Sequence, residues 1–108
     1  MATTKFTTLS VEEFANRIDS SNVFLLDVRT PEEFKEGHIH GAHNLDVQSE
    51  DFNHEAVSEL PKDKVIAVYC GSGRRSALAA EKLANDGFTV INLDGGLAAW
   101  KEAGFPVE

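Results

Sequence analysis

The sequence predicts an α/β domain with a largely parallel sheet. Short apolar, β-branched runs stand at 23–28, 65–69 and 89–93, amphipathic segments alternate with them, and turn or capping residues separate the two kinds. That alternation is the pattern of strands joined by crossover helices, and a run that is apolar at nearly every position is a strand covered on both faces.

The elements follow in order. Ser10 to Glu13 (SVEE) fits a capping box that opens a helix with Val11, Phe14, Ala15 and Ile18 on one face. VFLLDV at 23–28 is a strand buried on both faces. Thr30, Pro31, Glu32 and Glu33 supply a second cap, a first-turn proline and two acids at the positive end of the helix dipole, and this short helix stops at Gly37. A very short strand is expected around Ala42 to Asn44, then a polar-faced helix within Ser49 to Leu60, closed by Pro61. VIAVY at 65–69 is a strand that delivers the chain directly into Cys70. The helix after it starts at Arg74 or Arg75 and runs to Asp86, with Ala77, Ala80 and Ala84 small enough to lie close on the sheet and Gly87 ending it. TVINL at 89–93 is the next strand, ending at Asp94, Gly95 and Gly96, and LAAWKEA forms a last helix that stops at Gly104 and Pro106. No repeat, low-complexity tract or linker interrupts residues 1–108, which are expected to be one domain.

A chain of 108 residues with 42% hydrophobic composition can form one core without disulfides or a structural metal. No run approaches the ~18 apolar residues of a membrane span, and MATTKFTTLS lacks the basic and apolar regions of a secretory signal. One cysteine forms no intramolecular disulfide, so an oxidising compartment offers this fold nothing. The expectation is a soluble, cytoplasmic monomer without membrane contact. The net charge of −8, from 18 acidic and 10 basic residues, argues against a phosphate-backbone interface and so against a nucleic-acid partner. Against that background Arg74 and Arg75 are the only adjacent basic pair.

The lone thiol either packs or reacts. A cysteine at the end of a core strand is commonly a small hydrophobe, and glycines after it make a turn. Against that, two permanent charges directly beyond a buried thiol cost desolvation unless they serve solvent or a ligand. Gly71, Ser72 and Gly73 lead from a strand into a helix, turning successive N–H groups toward one point where the helix's own first-turn N–H groups are unpaired. Such a loop binds anions, and with Cys70 at its focus it favours the thiolate over the thiol. At least one of Arg74 and Arg75 is expected at the loop mouth, where a guanidinium can hold an anionic oxygen in bidentate fashion. Strand C-terminal ends are also where open α/β sheets bind ligands.

Three separated motifs in one order, LLDVRTPEEFKEGHIHGAHN at 25–44, YCGSGRRS at 69–76 and LDGGLAAWKEAGFPV at 93–107, make the chain resemble the single-domain rhodanese-like sulfurtransferases over nearly its whole length. The middle motif fits the C-x-x-G-x-R form of that family's active loop. The resemblance implies a parallel five-stranded sheet with helices on both faces. It also implies a persulfide carried on Cys70, formed from a small anionic sulfur donor such as thiosulfate and passed to cyanide, an external thiol or a protein thiol. The 71–75 backbone (Gly71, Ser72, Gly73, Arg74, Arg75) would cradle the anion, with Arg74 or Arg75 orienting the donor. No metal or organic cofactor is implied.

Two other functions share the fold. Dual-specificity phosphatases of this kind carry a cysteine, five residues and an arginine, but five residues after Cys70 end at Arg75 and Ser76 stands where the arginine would be. A non-catalytic interaction module would dispense with the thiol, which is present here. A persulfide carrier that works only with a protein partner stays open.

Other residues invite function more weakly. His38, His40 and His43 suggest zinc, yet no cysteine is near and a closed site needs a fourth ligand. His54 reads as a surface residue. Asp27 and Arg29, one residue apart at the end of a strand, are expected to form a charge pair or cap a loop. Asp94, Gly95 and Gly96 could approach the Cys70 loop, though a plain tight turn is the simpler expectation. Trp100 on an alanine-rich helix is expected to anchor the core.

Overall fold

The structure, a computed structural model, describes residues 6–108; residues 1–5, the first half of the MATTKFTTLS stretch expected to lack a secretory signal, lie outside the described residues. The strands are β1 (Thr7–Leu9), β2 (Val23–Asp27), β3 (His43–Asn44), β4 (Val65–Tyr69) and β5 (Thr89–Leu93). They form one five-stranded sheet in the order β1-β5-β4-β2-β3, with every pair parallel. The helices are α1 (Val11–Ile18), α2 (Pro31–Glu36), α3 (Phe52–Glu59), α4 (Arg74–Asn85) and α5 (Gly96–Glu102).

Side chains alternate across the strands and divide the core in two. Ile66, Val68 and Cys70 join Leu26, Val28 and Val90 on the face covered by Phe52 and Ala56 of α3 and Ala79, Ala80 and Leu83 of α4. Ala67 and Tyr69 join Leu25, Ile91 and Leu93 on the other face, under Val11 and Phe14 of α1 and Leu97 and Trp100 of α5. Helices therefore lie on both faces, as expected, and Trp100 is a core anchor whose Nε1 donates to the Pro106 carbonyl at 2.9 Å.

Both capping boxes are present. Ser10 and Thr30 each accept from the N3 backbone N–H while Glu13 and Glu33 reach back to the cap. Gly87, at φ +94°, ends α4 in a left-handed turn in which the Phe88 N–H returns to the Leu83 carbonyl at 3.1 Å.

Three details differ from expectation. The strand β1 has no apolar alternation to mark it; its threonines pair with β5 more than 80 residues away, in the register Thr7↔Ile91. Among the α4 alanines the fully buried ones are Ala79 and Ala80, while Ala77 and Ala84 are half-buried, because the helix turns the face of Ser76, Ala79, Ala80 and Leu83 to the sheet. Val28 lies one residue beyond the β2 ladder, although its N–H still reaches the Tyr69 carbonyl at 3.0 Å.

Candidate active site

The central strand β4 pairs on both sides and stops at Tyr69, so Cys70 is the first residue past the ladder, at the C-terminal edge of the sheet. Four residues on, α4 begins. Its N-cap is Gly73, at φ +102°, which has no side chain to satisfy the helix's first N–H groups. The Cys70 sulfur takes that place: the Gly73 N–H donates to Sγ at 3.0 Å.

The second half of the cradle comes from α5. Leu97 N–H donates to the Cys70 carbonyl at 2.7 Å and Ala98 N–H to the Gly71 carbonyl at 3.0 Å. In a planar trans peptide the N–H points opposite to the carbonyl, so drawing these two oxygens toward α5 turns the amides of Gly71 and Ser72 the other way. This packing needs glycine. A Cβ on Gly96 would stand 2.6 Å from the Cys70 carbonyl oxygen and 2.8 Å from Gly71 backbone atoms, and one on Gly73 would lie 3.3 Å from the Gly95 nitrogen. The Gly95–Gly96 segment is thus a buttress of the Cys70 loop, beyond the plain turn that was the simpler expectation.

The thiol is at once packed and polarised. Cys70 has no exposed surface and belongs to the α3/α4 core. Burial pushes the thiol up, but hydrogen bonds from the Ser76 hydroxyl and from the backbone N–H groups of Ser76, Gly73 and Ser72 outweigh it and leave the group below its ordinary value. The fully buried Ser76 hydroxyl also lies 3.3 Å from the Gly73 carbonyl. Its single proton can serve either partner, and an ionised sulfur is the stronger acceptor.

The two arginines part company. Arg74 is exposed, whereas Arg75 turns back over the loop, its Nη2 3.3 Å from where a Cβ of Gly71 would be. There it forms a two-pronged pair with Glu33 of α2, Nη1 to Oε1 at 2.7 Å and Nη2 to Oε2 at 2.9 Å. The Arg75 guanidinium holds the Glu33 carboxyl at about 2, against an opposing push from burial and with help from the Thr30 N–H and hydroxyl.

Other singled-out residues serve the frame. Arg29 grips Asp27 through Nε and Nη2, closest at 2.7 Å, and its Nη2 also donates to the Gly37 carbonyl, tying the end of β2 to the end of α2. His38 Nδ1 donates to the Phe34 carbonyl at 2.8 Å while its Nε2 lies 3.8 Å from the Glu108 carboxylate, which His40 Nδ1 meets at 2.9 Å, and His43 stacks instead on Phe24. His54 is exposed on α3. A groove of about 640 Å³ lies between α1, β2 and Trp100, and none of its lining residues belongs to the 70–76 loop. No helix among the described residues is long and apolar enough to cross a membrane.

The structure brings two further residues to the candidate site formed by Cys70 and the 71–75 loop. Ser76 had a sequence signal only as the residue standing where a phosphatase arginine would be. Glu33 is marked in the sequence only as a helix cap, and nothing local marks its pairing with a residue 42 positions away. Gly96 carried a signal in the double glycine after a buried strand, and its expected possible approach to the loop is the one the structure shows.

Residues 10–103 match the family description "Rhodanese-like domain". The chain is 38% identical to a protein named sulfurtransferase from Allochromatium vinosum over 98 residues, 89% of each chain. It is 36% identical to the thiosulfate sulfurtransferase GlpE of Shewanella oneidensis over 99 residues, 91% of this chain and 95% of that one. Among solved structures, a rhodanese-like domain from Anabaena sp. superposes with a TM-score of 0.82 at 34% identity, covering 94% of this chain and 77% of that one. With a parallel five-stranded sheet, a cysteine loop at its C-terminal edge and these relatives, the chain belongs to the rhodanese-like domain family.

Proposed function

We propose that this protein is a rhodanese-type sulfurtransferase that carries a persulfide on Cys70. The observation that carries the reading is the Gly73 N–H at 3.0 Å from the sulfur, within a loop whose hydrogen bonds hold the thiol below its ordinary value. The family membership and the sulfurtransferase names of two relatives support it.

The chemistry follows from the loop. The Cys70 thiolate attacks the sulfane sulfur of thiosulfate or a related donor. The donor's S–S bond breaks, sulfite leaves with the electron pair, and Cys70 is left as Sγ–S⁻. That new anion sits where the amides of the 71–75 loop can stabilise it. An acceptor thiolate or cyanide then attacks the outer sulfur, and Cys70 departs as thiolate. The acceptor thiol comes from outside these 108 residues, since Cys70 is their only cysteine. Gly71, Ser72 and Gly73 bind the donor through backbone N–H groups, and Arg75 orients it, with Arg74 adding charge from solvent. The protein works as a cytoplasmic monomer without metal or organic cofactor.

The test is the intact mass after incubation with thiosulfate. The mass of one added sulfur is expected, removable by cyanide or dithiothreitol and absent in Cys70→Ser. An unmodified protein that hydrolyses an aryl phosphate would replace this reading with a phosphatase. Sulfur accepted from a partner enzyme but not from thiosulfate would make it a dedicated carrier.

A further inference from the structure

We infer that Glu33 sets the charge of the sulfur donor: by pairing with Arg75 over the Cys70 loop it leaves the site suited to a monoanionic sulfane-sulfur donor more than to dianionic thiosulfate. The inference rests on the sulfurtransferase reading and narrows its donor class.

Taken alone, two adjacent arginines next to a thiol look built for a dianion. The structure changes that count. Arg75 spends two of its N–H donors on both oxygens of Glu33, at 2.7 and 2.9 Å, so the guanidinium that leans over Gly71 arrives already neutralised. Glu33 cannot easily turn away, because its Oε1 also accepts from the Thr30 N–H and hydroxyl at 3.2 and 3.0 Å, as the N3 partner of the α2 capping box. Both side chains are about a third exposed, 28% for Arg75 and 34% for Glu33, so they line the approach and are not sealed in the core. Arg74 and Arg75 set against Glu33 leave one net positive charge. Asp94, exposed one residue before the Gly95 that touches Gly73, adds a negative charge nearby.

A donor with two negative charges meets Glu33 as a like charge, and a donor with one does so half as strongly. Thiosulfonates and alkyl persulfides are monoanionic carriers of sulfane sulfur. For methanethiosulfonate the transfer balances as Cys70–S⁻ plus CH₃SO₂–S⁻ giving Cys70–S–S⁻ plus CH₃SO₂⁻. The S–S bond of the donor breaks, one S–S bond forms, and the sulfinate leaves with the electron pair. Methanethiosulfonate keeps the sulfonyl shape of thiosulfate with one charge fewer, which makes it the matched probe.

The experiment measures kcat/KM for thiosulfate and for methanethiosulfonate, with cyanide as acceptor, in the protein and in Glu33→Gln, at low and high salt. Glutamine keeps an oxygen for the Thr30 cap, so α2 is retained. The expected result is that Glu33→Gln raises kcat/KM for thiosulfate about fivefold, mainly through KM, and for methanethiosulfonate by about twofold, with the difference shrinking as salt is added. A merely structural role for Glu33 would move both donors together. Equal changes for the two donors, or a fall in both, would overturn the inference while leaving the sulfurtransferase reading standing. If intact mass shows that neither donor leaves a sulfur on Cys70, the reading and the inference fall together.

Discussion

The Cα of Gly96 packs so closely on the Cys70 carbonyl that a Cβ there would lie 2.6 Å from the oxygen. The contact is backbone against backbone, at φ +63°, so neither partner can swing aside. Gly96→Ala is therefore expected to cost about 2 kcal/mol of stability, from the clash and the strained φ together. It should also slow sulfur loading of Cys70 in the fraction that remains folded, because the Leu97 and Ala98 N–H groups no longer hold the loop. Denaturant midpoints and the time course of intact mass check the two effects separately.

The pH dependence of Cys70 reports on its cradle. The thiolate is the reactive form, so alkylation by iodoacetamide rises with pH through the thiol's own pKa and then levels off. In the folded protein the rise should come at lower pH than in the unfolded chain, since the hydrogen bonds from Ser76, Gly73 and Ser72 outweigh burial. Ser76→Ala removes the hydroxyl donor and should move the profile back toward higher pH. A profile that Ser76→Ala leaves in place would show that the backbone N–H groups alone govern the thiol.

The arginine pair should prove unequal. Arg75→Ala takes away the guanidinium nearest Gly71 and leaves the Glu33 carboxylate without its partner, so the apparent KM for thiosulfate should rise about tenfold. Arg74→Ala removes an exposed, solvent-screened charge and should raise it about twofold. Steady-state kinetics on the two variants decide it, and equal or reversed effects would show that Arg75 is not the arginine that orients the donor.

Asp27 and Arg29 should matter for stability and little for chemistry. Asp27 is fully buried and Arg29 nearly so, with the carboxylate gripped by Nε, Nη2 and the Arg29 N–H at 2.7 to 3.1 Å. Removing one partner leaves a buried charge uncompensated, so Asp27→Asn is expected to lose about 3 kcal/mol. Thermal unfolding should show the loss, while sulfur loading per folded molecule stays close to that of the parent.

Legibility in the sequence followed the range of the interaction. The capping boxes at Ser10 and Thr30 and the glycine stop at Gly87 are contacts within a few residues, and each was readable from spacing alone. β4 and β5 announced themselves because a strand buried on both faces is apolar at nearly every position. β1 did not, because three residues at a sheet edge need no such run. Within the candidate site, Cys70 and the loop to Arg75 lie in one contiguous stretch and could be singled out together. Glu33 and Gly96 reach the same stretch from 42 and 26 positions away in the chain, and what joins them is an ion pair and a backbone approach that only a folded chain brings about.

By itself the sequence determined the α/β alternation, the thiol as the candidate reacting group and the family whose motifs surround it, since these depend on residue types in fixed local order. Only the tertiary structure decided how that thiol is held. Parallel pairing sets the ends of β4 and β5 side by side, α5 then draws the loop's carbonyls one way and turns its amides the other, and α2 carries Glu33 to Arg75. The charge at the mouth of the Cys70 loop is thus the sum of groups from separate elements, and no single stretch of the chain contains it.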